Sequence, residues 1–310
     1  MNLYDEDRVI VLNSTDAIKL NGTLNSSVIF PVNGLLKAEA SIIHSHIQLV
    51  ACQLPHSFYI INSYNNKLFY TIGSMFSITI PEGNYNAFNL ITTMQSLFLA
   101  NGHTITPTFN RINGKITYTG TTNFTFNASN STILKVLGFL PSINSSSISN
   151  VLASPFPLNL LGIKRIMITS QKLATTALNS FNSQTQTESV LATVYIDDAP
   201  FGLIANPNTT NVNHLLRVKT IDNIDLRFTD EDGNLINFNG IEWTMKLKIS
   251  STYELITPSK ATFEGLTRQA PIASLSNDKQ QEEVIPDFPI TPDNDLDLLL
   301  YKAKQPIPPK

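Results

Sequence analysis

Short stretches in which apolar and polar residues alternate recur along most of this chain, the period of half-buried β-strands. The clearest lies in residues 40–52. There Ile43, Ser45, Ile47, Leu49 and Ala51 alternate with His44, His46, Gln48 and Val50, before Pro55 ends the run. Further strands are predicted at 76–80, 163–169, 190–196, 215–221, 224–228 and 243–249. In the run 190–196 the pattern sets Val190, Ala192, Val194 and Ile196 on one face. Residues 58–61 and 68–72 read as a hairpin around Ser63-Tyr64-Asn65-Asn66. Residues 1–38 read as an extended N-terminal arm with two apolar pieces, 9–12 and 28–31, separated by turns rich in Asn and Ser.

One region changes period. After the turn Pro81-Glu82-Gly83-Asn84-Tyr85, residues 86–99 predict a helix, with Asn86 as N-cap and Phe88, Ile91, Met94, Leu97 and Phe98 spaced by threes and fours. Asn101-Gly102 closes it. Strands at 104–109 and 115–119 flank Arg111-Ile112-Asn113-Gly114, a hairpin signal. A strand at 123–127 and a short helix at 131–137, ended by Gly138, complete the unit. Residues 81–140 thus read as a small α+β domain inserted into a β-rich chain. Residues 141–160 read as a connection, and 171–187 as a long polar loop.

The character changes again near residue 257. Eight of the 17 prolines follow it, with acidic clusters at 282–283 and 293–297. Residues 257–310 read as an extended Pro-rich C-terminal tail without a core of its own. Its one apolar anchor, Leu296, Leu298, Leu299, Leu300 and Tyr301, is a candidate docking segment for a partner.

Composition narrows the function. Of 310 residues, 42% are hydrophobic but only 15% charged, and the net charge is −3. That excludes a basic nucleic-acid coat, so no direct nucleic-acid partner is expected. Asn, about one residue in ten, with Ser and Thr, replaces the missing charge. A surface of this kind suits an interface, whose centre is depleted of charge; an AT-rich coding sequence would give the same enrichment with no physical purpose. Asn-x-Ser/Thr triplets begin at Asn13, Asn21, Asn25, Asn123, Asn127, Asn130, Asn144 and Asn208. With a polar, acidic N-terminus and no signal peptide expected, they are read as compositional. No run of 18 apolar residues predicts a transmembrane helix.

The candidate chemistry is sparse. His44 and His46 share a strand face but lack further ligands at metal-binding spacing, so no metal is expected. Asp230-Glu231-Asp232-Gly233-Asn234 is a turn rather than a calcium loop, lacking the alternating ligands and the distal glutamate. Asp197 and Asp198, adjacent on an extended chain, point to opposite faces and do not pair as acid and base. Cys52, the single cysteine, sits in an apolar alternation as a buried thiol. No phosphate loop, dinucleotide fingerprint or nucleophile elbow is present. The expectation is a non-enzyme without cofactors.

Two segments point to a family. Residues 224–236, Ile-Asp-Leu-Arg-Phe-Thr-Asp-Glu-Asp-Gly-Asn-Leu-Ile, continue through Asn239-Gly240-Ile241-Glu242-Trp243-Thr244-Met245. They resemble a signature near the end of the β core of penton, or minor capsid, proteins of virophages, polinton-type elements and related large DNA viruses. Ile80-Pro81-Glu82-Gly83-Asn84-Tyr85, Gly114-Lys115-Ile116-Thr117-Tyr118 and Leu137-Gly138-Phe139 resemble the middle section of the same family. The resemblance covers roughly residues 40–250 and leaves out the tail. It implies a mainly β fold, a single jelly-roll β-sandwich formed by 39–80 plus 141–256, with the α+β domain inserted. It also implies a homopentamer at the five-fold vertex of an icosahedral double-stranded DNA virion, surrounded by a double jelly-roll major capsid protein and possible further minor capsid proteins. The different class that the residues also permit is a fibre-tip or carbohydrate-binding β-sandwich attachment protein.

Overall fold

Strand length and bulges set which side chains enter the main core. The computed structural model describes residues 3–22, 24–36, 42–173, 179–181, 187–207, 213–216 and 220–254. The chain opens with β1 (Leu3–Asn13), a 3-10 turn at Ser14–Asp16, β2 (Ile18–Asn21), β3 (Leu24–Leu36) and β4 (Ile42–Pro55). A long excursion follows, with β5 (Lys67–Ile72), β6 (Ser74–Thr79), α1 (Ala87–Ala100), β7 (Ile105–Phe109), β8 (Ile116–Gly120), β9 (Thr125–Asn127), β10 (Ser145–Ser146) and β11 (Val151–Ala153). The chain then returns through β12 (Arg165–Thr169), β13 (Asn179–Phe181), β14 (Thr187–Tyr195), β15 (Leu203–Pro207), β16 (His214–Leu216), β17 (Ile221–Thr229) and β18 (Thr244–Glu254).

Two antiparallel sheets carry the main core. One has the order β1-β18-β4-β15, with β16 also on β4; the other runs β13-β14-β12-β17-β3-β2. Take β15 and β16 as one interrupted strand and set aside the short β2 and β13. The eight main strands then lie in chain order 1-8-3-6 against 5-4-7-2. That exchange of the chain between two facing sheets is the jelly roll. It closes with β18 between β1 and β4, paired along nearly its whole length on both sides.

The N-terminal residues correct the expectation of an arm. β1 pairs with β18 from Leu3↔Glu254 to Asn13↔Thr244, and β3 pairs with β17. Leu12, Val28 and Phe30 are buried in the main core. The alternation in residues 9–12 and 28–31 is thus a sandwich strand signal, because each piece supplies one inward row.

The bulges explain where the strand patterns change phase. β4 aligns Leu49 with Leu247 but Ala51 with Lys246, which leaves Val50 as the extra residue. The inward row therefore runs Ser45, Ile47, Leu49 and then Cys52 and Leu54, while Ala51 leaves the core. β12 aligns Ile168 with Ala192 but Thr169 with Val190, so Leu191 is extra and turns inward. The even alternation predicted over 190–196 fails there because one inserted residue reverses the period of two.

Trp243, just before β18, joins the two sheets. Its indole Nε1–H donates to the Asn25 carbonyl on β3 (2.8 Å), and its backbone N–H donates to Ser14 Oγ (3.0 Å). Ser14 N–H in turn donates to the Trp243 carbonyl (3.0 Å). The ring meets Phe228 of β17 at 4.6 Å and Phe30 of β3 at 6.1 Å between centroids.

The excursion has its own core. A sheet of β10-β9-β5-β6 and a sheet of β11-β8-β7 enclose α1 and a cluster running from Ile61 to Leu152. Tyr70, Phe98, Tyr118, Phe126 and Phe139 form its aromatic centre. Asn86 caps α1 as predicted, accepting from Asn89 N–H at 2.9 Å. The helix buries Leu90, Met94 and Phe98, one turn apart, while Phe88 faces outward. Three details differ from the sequence reading. β5 pairs with β6 rather than with 58–61, so both strands belong to the inserted core. Residues 131–137 form turns rather than a helix. Residues 141–160 contribute β10 and β11 instead of a bare connection.

Gly138 fixes the return path. Its φ is +81°, and a Cβ there would lie 2.2 Å from the Phe156 carbonyl oxygen. Gly138→Ala is expected to destabilise the protein by at least about 1–2 kcal/mol from the left-handed backbone alone, read as a lower urea midpoint. Trp243→Phe keeps an aromatic ring but removes the indole N–H and some buried volume, and it strands the buried Asn25 carbonyl. A loss of about 1–3 kcal/mol is expected in equilibrium denaturation; an unchanged midpoint would show that the bond contributes nothing net.

Candidate functional site

Among the described residues the sandwich ends in two flanks, and their chemistry differs. β1 borders one sheet and β2 the other, joined by the single turn Ser14–Asp16, so they share a flank. β15 and the part of β14 beyond its pairing with β13, joined through 196–202, make the opposite one. Edge strands expose unpaired backbone groups and invite another chain unless charge or a bulge blunts them. On the first flank Asp5 accepts from Thr252 Oγ1 (2.7 Å), and Asp7 from Ser250 Oγ (2.7 Å) and Lys248 Nζ (2.8 Å). The Lys248 hydrogen bond, with that from Ser250, holds the Asp7 carboxyl below its usual range. Charge is confined to that half of β1. Beyond it Val9, Val11, Ile18 and Leu20 are each more than half exposed.

The second flank shows Tyr195, Phe201 and Leu203, also more than half exposed. Phe201 is 77% exposed and has φ +69°, a left-handed conformation that costs a bulky residue about 1–2 kcal/mol. Hydrogen bonds hold it there. Phe201 N–H donates to the His56 carbonyl (2.8 Å), His56 N–H to that of Gly202 (3.0 Å), and Gly202 N–H to that of Ala199 (3.0 Å). His56 Nδ1 lies 2.8 Å from the Asp198 carbonyl.

Clefts surround the neck where the chain leaves and re-enters the sandwich. One, about 410 Å³, is lined by Phe58, Ile60, Leu161, Ile196 and the Asp197-Asp198 corner. Another, about 310 Å³, lies between the turns near Lys135 in the excursion and the acidic turn 230–234. Asp230 holds that turn together, accepting from Asp232 N–H (2.9 Å), Asn234 N–H (2.8 Å) and Asn234 Nδ2 (3.0 Å). Gly233, with φ +83°, makes the reversal. Burial pushes the Asp230 carboxyl up, with the Asn234 bonds opposing it.

The other residues marked by the sequence fall in varied places. His44 and His46 sit together on β4 with ring centroids 5.1 Å apart. Among the described residues no group of three or more His, Cys, Asp or Glu could hold a metal. Cys52 is buried as a free thiol, matching its reading as a core residue. Asp197 and Asp198 both line the larger cleft. The anchor residues Leu296, Leu298, Leu299, Leu300 and Tyr301, with the tail 257–310, lie outside the described residues. The sequence reading missed the flanks and the clefts; the apolar residues at odd positions of β1, Val9 and Val11, were a signal for the first flank. No helix among the described residues is long and apolar enough to cross a membrane.

No family model matches the chain, and no curated protein is similar to it. Among solved structures it is similar to the crystal structure of the selenomethionine-labelled mavirus penton protein. The identity is 16%, over 79% of this chain and 99% of that one, with a TM-score of 0.42. It is also similar to a chain of the Sputnik virophage solved by cryo-electron microscopy, at 14% identity over 80% and 98% of the two chains, with a TM-score of 0.37.

The acidic turn gives a pH signature. A carboxyl raised in the folded state contributes stability that is fully present below its unfolded pKa and is lost as pH rises through its folded value. The stability of the parent protein relative to Asp230→Asn should therefore fall as pH rises from about 4 towards 7. Urea midpoints of both proteins across that range test this; parallel curves would remove Asp230 from the pH dependence.

Proposed function

We propose that this chain is a structural capsid protein that forms the pentameric vertex of an icosahedral double-stranded DNA virion and contacts a surrounding double jelly-roll major capsid protein. The observation that carries this is the pair of unlike, partly apolar flanks that the described residues leave on one jelly roll. A surface that pairs with a different surface of an identical copy makes a head-to-tail contact, and such contacts close into rings when the rotation allows. Val9 and Val11 on one flank and Phe201 with Leu203 on the other give each copy one face of either kind. The segments 80–85 and 224–245, which resemble the penton family in sequence, support the same reading. The tail would then carry its anchor, Leu296, Leu298, Leu299, Leu300 and Tyr301, to a neighbouring capsid protein. Affinity at the ring contact would come from buried apolar area rather than from the few surface ion pairs, each worth about 1 kcal/mol or less.

Native mass spectrometry and electron-microscopy class averages of the purified protein, alone and with a double jelly-roll capsid protein, test the proposal. Five-fold rings, or shell vertices filled only when this chain is added, are the expected result. Monomers or trimers that never enter a shell would overturn it. Val11→Lys should dissociate the ring while leaving the circular dichroism spectrum unchanged, because the side chain it replaces is exposed.

A further inference from the structure

The larger cleft of the neck, about 410 Å³, is walled mainly by apolar side chains, among them Phe58, Ile60, Leu161, Ile163 and Ile196. It opens where paired strands part. β12 and β14 stay in register up to Arg165↔Tyr195, and Ile196 N–H still donates to the Lys164 carbonyl (3.0 Å). Lys164 N–H is taken by the Glu231 side chain (3.1 Å). Residues 160–163, just before β12, have no strand partner among the described residues.

The backbone of that segment is largely unanswered. Leu161 N–H donates to Asn159 Oδ1 (3.2 Å). The N–H groups of Leu160, Gly162 and Ile163, and the carbonyls of residues 160–163, have no partner among the described residues. The same holds for the N–H and carbonyl of Phe58 on the opposite wall. Leu161 itself is 72% exposed. Together these features select the occupant. The walls favour apolar side chains. An occupant without hydrogen-bonding groups would strip water from the unpaired backbone and return nothing. A peptide with a row of apolar side chains supplies both.

The chain carries such a segment outside the described residues. The run 294–304 contains Leu296, Leu298, Leu299, Leu300 and Tyr301 and no proline, so every backbone donor is available; the apolar stretch 284–290 loses two donors to Pro286 and Pro289. Laid out as a strand, the run puts Leu296, Leu298 and Leu300 in one row. The described chain ends at Glu254, one β18 length from the neck, about 36 Å at ~3.3 Å per residue. Residues 255–295 then separate it from Leu296, a reach of up to roughly 135 Å, enough to leave the parent molecule.

We propose that this cleft receives residues 296–301 of a second copy of the chain. Leu296, Leu298 and Leu300 would enter against Phe58, Leu161 and Ile196, and the incoming backbone would bond to residues 160–163. The contact links copies of the chain, and it holds whether or not those copies stand at a capsid vertex.

Two measurements on the full chain test the proposal. In the first, a fluorescent peptide of residues 293–304 is titrated against protein whose own segment carries Leu296→Asp, Leu298→Asp and Leu300→Asp. The peptide should bind, and Leu161→Asp added to the protein should weaken it at least ten-fold, with an unchanged unfolding midpoint because Leu161 is exposed. Ile148→Asp, outside the cleft, should leave binding unchanged. In the second, light and heavy-isotope-labelled protein are mixed dilute, concentrated and treated with an amine cross-linker. Lys164, which lines the cleft, should join Lys302 or Lys304, and about half of those links should pair light with heavy chain. Leu161→Asp should remove them. A peptide that binds neither protein, or binds both equally, would overturn the assignment. So would links confined to single copies, or links from Lys164 no more frequent than those from Lys115.

Discussion

Trp243 ties together three parts of the sandwich that are far apart in sequence. Its indole reaches the Asn25 carbonyl on β3, its backbone exchanges two hydrogen bonds with Ser14 after β1, and its ring meets Phe228 at a tilt and Phe30 edge-on. Neither sheet can slide over the other without breaking these contacts. The bonds are buried, so losing any one leaves a polar group without water. The aromatic pairs add about 0.5–1.5 kcal/mol each beyond their buried area. The position of β18 between β1 and β4, and hence the closure of the jelly roll, follows from where this residue is held.

With the sandwich closed, the excursion between β4 and β12 is free to build a second core at one end. It meets the sandwich through a narrow neck, and the turns on either side do not fill the space around it. Ser57 Oγ donates to the Phe238 carbonyl at 2.6 Å, and Asn239 Nδ2 donates to the Ser57 carbonyl, so the outgoing strand of the neck is anchored to the sandwich. The clefts are a consequence of joining two separately packed cores by two chain crossings. Their polar lining follows from the composition, since Asn, Asp and Tyr occupy the turns there.

The same composition shapes the outer surface. Between residues 61 and 160 the charged side chains are Lys67, Glu82, Arg111, Lys115 and Lys135. The polar surface of the inserted core is therefore mostly amide and hydroxyl, much of it spent on its own loops, as with Asn123, Asn127 and Asn144. A surface of this kind carries little electrostatic steering and leaves apolar side chains such as Ile112 and Ile148 exposed. On β1 the charged residues sit in its first half, where Asp5 and Asp7 bond across to β18, and Val9 and Val11 are the exposed apolar residues of its second half.

Much of this was legible in the residues themselves. Alternation of period two marked the strands, the Asn86 cap and three-four spacing marked α1, and Arg111-Ile112-Asn113-Gly114 marked the β7–β8 turn, because each depends on local backbone preference. The burial of Cys52 and the turn at Asp230 to Asn234 were equally local. Long-range pairing was not local. That β1 and β3 are sandwich strands rather than an arm depends on β18 and β17, more than two hundred residues away in the first case. The bulges at Val50 and Leu191 change the inward row without any change in residue type, since only the partner strand's register shows which residue is extra. The flanks and the cleft between Lys135 and Asp232 exist only once distant segments are brought together. Sequence alone determined most of the strands, the main helix and the tight turns, which rest on local preference; tertiary packing decided which strands pair and where a bulge turns a row inward, because both depend on a distant partner strand.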